Sequence, residues 1–156
     1  MFSQTVEYIL RVVVFLASQR GSATTTQQIS DATQVPVGYL AKIMQRLVKA
    51  SIVSSQRGRN GGFLLHQRAY ALTLLDIIQQ LEPIVRIQAC PLSNPEHKVG
   101  LCPLHSRLDQ AIAAVEATLG ESTIQNLMVQ LKSCQVGAAL LKPQAIPEAQ
   151  TETVKV

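Results

Sequence analysis

The stretch that most limits how this chain can fold runs from Pro36 to His66, "PVGYLAKIMQRLVKASIVSSQRGRNGGFLLH". In its first half Tyr39, Leu40, Ile43, Met44 and Leu47 recur at three- and four-residue steps, the period of one helix face. Lys42, Arg46 and Lys49 lie four and three apart and share another face. Pro36 suits the first turn of such a helix. In the second half "IVSSQ" and "FLLH" read as short strands, and Asn60-Gly61-Gly62 between them is a strong hairpin signal. Arg57 and Arg59 stand at the tip of that hairpin.

The flanks extend the pattern. Ser3 can cap a first helix, with Glu7 near its positive end. Val6, Ile9, Leu10, Val13, Val14, Leu16 and Ala17 cover more than one face of it, so wide burial is expected before Gly21 ends it. "TTTQQISDATQ" begins with a β-capable stretch, and Thr25 or Thr26 can cap a helix that turns Ile29 and Ala32 inward. Two short helices in a row, the second with a cationic face, have the form of a helix-turn-helix, and a basic hairpin directly after them is a wing. "TLLDIIQQLE" predicts a helix capped by Thr73 and ended before Pro83. Farther on, Leu104, Leu108, Ala111, Val115 and Leu119 form a narrow apolar seam with Arg107, Asp109, Gln110 and Glu116 outside it. Such a seam suits packing on a partner helix. Gly120 ends it, and residues 121–131 predict a further short helix.

The expected fold class is therefore mainly α with a small β-wing: a winged helix-turn-helix over 1–83, a loop over 84–103, a long dimerisation helix and a short following helix over 104–133, and a loose tail over 134–156. Aromatics are 4% of the 156 residues while apolar residues are 47%, which suits a helical core of Leu, Ile, Val and Ala. No apolar run approaches the roughly 18 residues of a membrane span. Three cysteines make a disulfide framework unexpected, and the expected setting is the cytoplasm, without a membrane partner. Residues 1–70 hold eight Lys/Arg against Glu7 and Asp31, a net of +6, whereas residues 71–156 carry a net of −2. A basic half beside a mildly acidic one points to a polyanion for the basic half.

Together these features point to double-stranded DNA. A major groove admits one helix, read from its N-terminal turns, with phosphates on both flanks. The candidate contacts are Thr26, Gly38, Tyr39, Lys42, Arg46 and Lys49, with Arg57, Arg59, Asn60 and Gly61 in the wing, where arginine suits a narrow minor groove. Taken singly, the three helix cations are also what a wet helix face looks like, and the glycines what a tight turn looks like. No nucleophile–base pair, phosphate loop or paired carboxylates form a catalytic motif, so an enzyme is not expected; a winged-helix interaction module without DNA is the rival class.

Residues 90–105, "CPLSNPEHKVGLCPLH", gather two cysteines, two histidines and a glutamate between two helices. Pro91, Pro95 and Pro103 stiffen the segment, which serves a preformed site and a plain connector equally.

"YILRVVVFLA", "QQISDATQVPVGYLAKIMQRLVKASIV", "RGRNGGFLL" and "TLLDIIQQLE" resemble the IscR/NsrR-type winged-helix regulators, the Rrf family, over about residues 1–130. The resemblance implies a homodimer on pseudo-palindromic operator DNA, in many members a repressor. Redox state, nitric oxide or iron–sulfur status would be sensed in the loop before the long crossing helix. Several members carry an acidic residue after the Tyr-Leu pair, where this chain has Ala41, so no operator sequence carries over. Cluster-binding relatives carry three cysteines in the loop. Cys90 and Cys102 match the first and last, and Cys102 with His105 matches a C-x-x-H variant, but the middle cysteine is absent. Glu96 and His97 stand between, and Glu7 occupies the place from which a carboxylate of the other subunit completes some clusters. Three readings stay open. A [2Fe–2S] cluster is held by Cys90, Cys102 and ligands from among Glu7, Glu96, His97 and His105; or the two thiols sense oxidants without a cluster; or the loop is inert. Cys134 lies beyond the matched motifs.

Overall fold

The computed structural model describes residues 2–58, 61–89 and 100–133. Arg59, Asn60, Cys90, Glu96, His97, Cys134 and the tail lie outside the described residues. The chain forms α1 (Gln4–Ser18), α2 (Thr26–Thr33), α3 (Val37–Lys49), β1 (Val53–Gln56), β2 (Gly62–Leu65), a 3-10 turn (Gln67–Ala71), α4 (Leu74–Leu81), α5 (Pro103–Gly120) and α6 (Ile124–Ser133). This is the mainly helical winged fold the sequence pattern points to. No helix among the described residues is long and apolar enough to cross a membrane.

The helix starts follow local chemistry. Ser3 Oγ accepts the Val6 N–H at 3.2 Å. Thr25 caps α2 and Thr73 caps α4, each in a reciprocal capping box, with Gln28 and Asp76 respectively. Gln34, in the left-handed region at φ 57°, makes the tight turn from α2 to α3. That turn lets Val35 drop fully into the core.

The core is built from Ile9, Val12, Val13 and Leu16 of α1, Ile29 of α2, and Leu40, Ile43, Met44 and Leu47 of α3, with Ile77 of α4 beneath. Leu10 and Val14 are half-buried as well, so α1 is covered widely, as its sequence requires. Two inward assignments change. Tyr39 lies outside the apolar stripe of α3, 44% exposed, because the four fully covered residues already fill the arc that faces the core. In α2 the buried partner of Ile29 is Thr33, whose hydroxyl donates to the Ile29 carbonyl at 2.6 Å, while Ala32 is half-buried. A threonine can occupy that site because its one polar hydrogen is satisfied within the helix.

The wing is a two-stranded antiparallel ribbon in the register Val53↔Leu65 to Gln56↔Gly62. Thr24 adds a single bridge to its edge, exchanging backbone hydrogen bonds of 2.9 and 2.8 Å with Phe63. The sequence pattern assigns Gly61 and Gly62 to a turn, and the structure gives each a second reason. A Cβ on Gly62 would lie 2.5 Å from the Thr24 carbonyl oxygen, and one on Gly61 would lie 2.5 Å from that of Gln56. The 3-10 turn that follows carries no sequence signal of its own; His66, half-buried rather than solvent-facing, starts it by accepting the Arg68 N–H at Nδ1 over 3.3 Å.

The last two helices return to the domain by different means. α6 docks through Ile124 and Met128, and a bridge between Thr73 and Thr123 fixes its start, with Leu74 N–H to Ser122 and Ile124 N–H to Leu72 both at 3.0 Å. α5 buries no residue fully. It is held by Arg86, whose Nε donates to Asp109 at 2.7 Å and whose Nη1 donates to Glu116 at 3.3 Å. The Ile87 N–H adds a 3.0 Å bond to Asp109, and Gln79 reaches Glu116 from α4 at 3.3 Å. Asp109 and Glu116, off the apolar seam, are thus clamp residues rather than a wet face. The Arg86 hydrogen bond holds the Asp109 carboxyl below the usual carboxylate range, against a partial loss of solvation and with help from the Ile87 N–H.

Two stability predictions follow from these contacts. Gly62→Ala should lower unfolding free energy by about 1–3 kcal/mol through overpacking on Thr24, whereas Gly38→Ala, with nothing within 4 Å of the new methyl, should raise it by up to about 1 kcal/mol. Urea midpoints of the two variants should move in opposite directions. For the clamp, a depressed carboxyl pKa contributes stability above its unfolded value and loses it as pH falls. Stability should therefore decline as pH drops below about 4, and Asp109→Asn should flatten that decline while leaving a lower plateau at neutral pH.

Candidate nucleic-acid interface

Burying Leu40, Ile43, Met44 and Leu47 leaves one orientation for the rest of α3. Lys42, Arg46 and Lys49 are all exposed on the opposite side, beside Gly38 and Gln45. Between this face and the wing runs a groove lined by Thr26, Ala41, Gln45, Val48, Lys49, Ser55 and Phe63. The fold thus brings Thr26 from the start of α2 next to Lys49 at the end of α3. Arg57 is exposed just past β1, and the Gly61 N–H closes the turn on the Gly58 carbonyl at 2.9 Å. Like charges gathered on one convex face, next to a ribbon, form a surface suited to two rows of phosphates.

Tyr39 takes a separate position. Its ring meets Tyr8 edge-on at 5.7 Å and 79°, and its hydroxyl lies 3.5 Å from Thr5 Oγ1. It stands on the flank of α3 facing α1, away from the groove. Gln45 and Val48, missing from the sequence-level candidates, line the groove directly. Gln45 could have been found by projecting the helix, since it falls beside Lys49 on the face opposite the apolar stripe.

Of the candidate metal ligands, Glu7, Cys102 and His105 are among the described residues, and the structure brings Cys102 and His105 together. Cys102 is a free thiol that caps α5, its Sγ accepting the His105 N–H at 3.5 Å and lying 3.1 Å from His105 Nδ1. Glu7 is paired with Arg11 one turn along its own helix. Among the described residues no three His, Cys, Asp or Glu side chains converge on a metal-binding position. A thiol beside an imidazole is a donor pair that iron–sulfur centres accept.

Residues 2–130 match the Rrf2 family, described as an iron-dependent transcriptional regulator. A protein of Aquifex aeolicus provisionally named an HTH-type transcriptional regulator is 28% identical over 131 residues, spanning 82% of this chain and 91% of its own length. Among solved structures, IscR of T. potens superposes with a TM-score of 0.70 at 20% identity, over 86% of this chain and 90% of that one. CymR, the global cysteine regulator of B. subtilis, gives 0.67 at 24% identity, over 83% of this chain and 97% of that one. Both likenesses establish the winged fold. With the family match extending across nearly all the described helices and the wing, this chain belongs to the Rrf2 family of transcriptional regulators, proteins that control genes and are not enzymes.

Proposed function

We propose that this chain is a homodimeric repressor that binds operator DNA through α3 and the wing and senses redox state, nitric oxide or iron–sulfur status at the loop preceding α5. One observation carries the DNA half: Lys42, Arg46 and Lys49 point outward together from a helix whose opposite face is locked into the core. Dimerisation is supported by α5, which presents Leu104 at 65% and Leu108 at 47% exposure and buries nothing fully within its own chain. Two α3 helices about 34 Å apart would meet successive major grooves on one side of a duplex.

On the sensing side, Cys102 and His105 would hold part of a [2Fe–2S] cluster, with Cys90, Glu96 or His97 and a Glu7 from the second protomer as further donors. When bound, such a cluster supplies a redox couple tuned by its ligands. The protein's own contribution is positional. Cys102 Sγ is the cap of α5, so any change at that sulfur acts on the first turn of the helix. The Arg86 clamp, grasping Asp109 and Glu116 along the same helix, passes a change in α5 to the segment after α4. A second reading keeps the fold and drops the cluster: the 3.1 Å contact of Cys102 Sγ with His105 Nδ1 favours direct oxidation of a thiol partnered by an imidazole.

Binding to a duplex from the region upstream of its own gene should weaken steeply with salt. Lys42→Ala, Arg46→Ala and Lys49→Ala should each lower affinity across sequences and reduce the slope of log K against log salt by about 0.9 per lost phosphate contact. Fluorescence anisotropy measures both; a salt-insensitive complex would leave the interaction-module class instead. Protein purified without oxygen should show visible absorption bands with stoichiometric iron and sulfide, lost in Cys102→Ala. A colourless, iron-free protein after reconstitution selects the thiol reading or an inert loop.

A further inference from the structure

We infer that Gln45 is a specificity-determining residue, its side-chain amide reading an adenine in the major groove while Ala41 and Val48 meet the methyl group of an adjacent thymine. The inference deepens the DNA-binding reading and rests on it. At about 100° per helical residue, Gly38 and Lys49 stand opposite the centre of the buried Leu40, Ile43, Met44 and Leu47 stripe, with Gln45 next to them on the wing side and Lys42 on the other. Gln45 is exposed, and among the described residues its side-chain amide has no hydrogen-bond partner. The glutamines of the neighbouring helix-turn are all committed: Gln27 to Asp31 at 2.8 Å, Gln28 to the Thr25 N–H at 2.9 Å, and Gln34 to the Asp31 carbonyl at 2.6 Å. The amide on the wing side of the outward face is therefore available to a ligand.

Its surroundings narrow that ligand. Gly38, two turns before Gln45 on the same face, has open space where a side chain would be, so the helix can lie close to a groove floor. Ala41 and Val48, one turn before and one after, flank Gln45 on the wing side and line the same groove. A carboxamide offers one donor and one acceptor in a plane, the complement of adenine N7 and N6; guanine calls for two donors and cytosine for an acceptor alone. Small apolar side chains beside it complement the thymine methyl. Lys42 and Arg46 lie to the other flank, where they suit phosphates.

The test is selection of sites from a randomised duplex library by the full chain and by Gln45→Ala, followed by titration of the selected site with 7-deaza-adenine at the assigned position. Wild-type sites should carry an A·T pair at one symmetric position per half-site. Gln45→Ala should lose discrimination there by about 5- to 100-fold, keep the remaining consensus, and keep the salt slope. The 7-deaza substitution should weaken wild type and leave Gln45→Ala unaffected. An unchanged consensus in Gln45→Ala, or equal binding of the 7-deaza duplex by wild type, overturns the assignment while DNA binding stands. A library that wild type fails to enrich overturns the DNA-binding reading and this inference with it.

Discussion

Everything on the outer surface of this domain depends on how the apolar stripe of α3 is seated in the core, beside α2 and β1. Leu40, Ile43, Met44 and Leu47 are each almost wholly removed from solvent. At roughly 1.5–3 kcal/mol per side chain, their burial contributes on the order of 6–12 kcal/mol. The exposed cations contribute little to folding, since solvated surface charges are worth a few tenths of a kcal/mol either way. The fold is thus free to place Lys42, Arg46 and Lys49 wherever the stripe dictates, and the stripe dictates outward. The same seating sets the wing, because only three residues separate α3 from β1, and Ile52, the last of them, and Val53, the first of β1, are themselves buried.

What could be read from the sequence was local. A cap at Thr25 or Thr26, a cap at Thr73, the three- and four-residue rhythm of α3 and the Asn-Gly-Gly hairpin each announce themselves within four or five residues, and each corresponds to an element observed in place. The features that escaped are those joining distant segments. Arg86 meets Asp109 23 residues away and Glu116 30 residues away, and nothing periodic marks such a pairing. Thr24 meets Phe63 across the whole helix-turn-helix, which is why the wing glycines have a packing role that turn chemistry alone does not reveal. Tyr39 was misassigned for a related reason: its spacing fits the stripe, but an aromatic ring at the edge of the arc found Tyr8 instead of the core. Cys102 and His105, which the resemblance pairs as a C-x-x-H variant, lie together because an N-cap and the third helical residue are neighbours, whereas ligands from separate segments have no such local constraint.

α5 is the element whose sequence and surroundings disagree most within one chain. Its seam is apolar, yet nothing on it is fully buried, with Leu104, Leu108 and Ala111 exposed and Val115 and Leu119 half-buried, and its polar flank ties it to the domain through Arg86. A helix fixed by its charged side and open on its apolar side is arranged to be covered by something else while keeping a defined angle to the DNA-facing half. On the proposed reading that cover is a second copy, and the clamp sets the angle.

The size of the effects then limits how a signal could work. Losing the cap at Cys102 would cost about 1 kcal/mol by analogy with other N-caps, or about 2 kcal/mol for two protomers. Moving a two-state equilibrium from one part in a hundred to ninety-nine needs about 5.5 kcal/mol. A missing cap alone falls well short, giving roughly a thirtyfold bias. Full switching would require the sulfur chemistry to displace α5 far enough to break the Arg86 pairs as well, leaving Asp109, which is largely covered, without its cation. On the proposed reading the cap and the clamp would then act in series: the first would be where the chemistry occurs, and the second would convert a small movement at the start of α5 into a change the DNA-binding half can register.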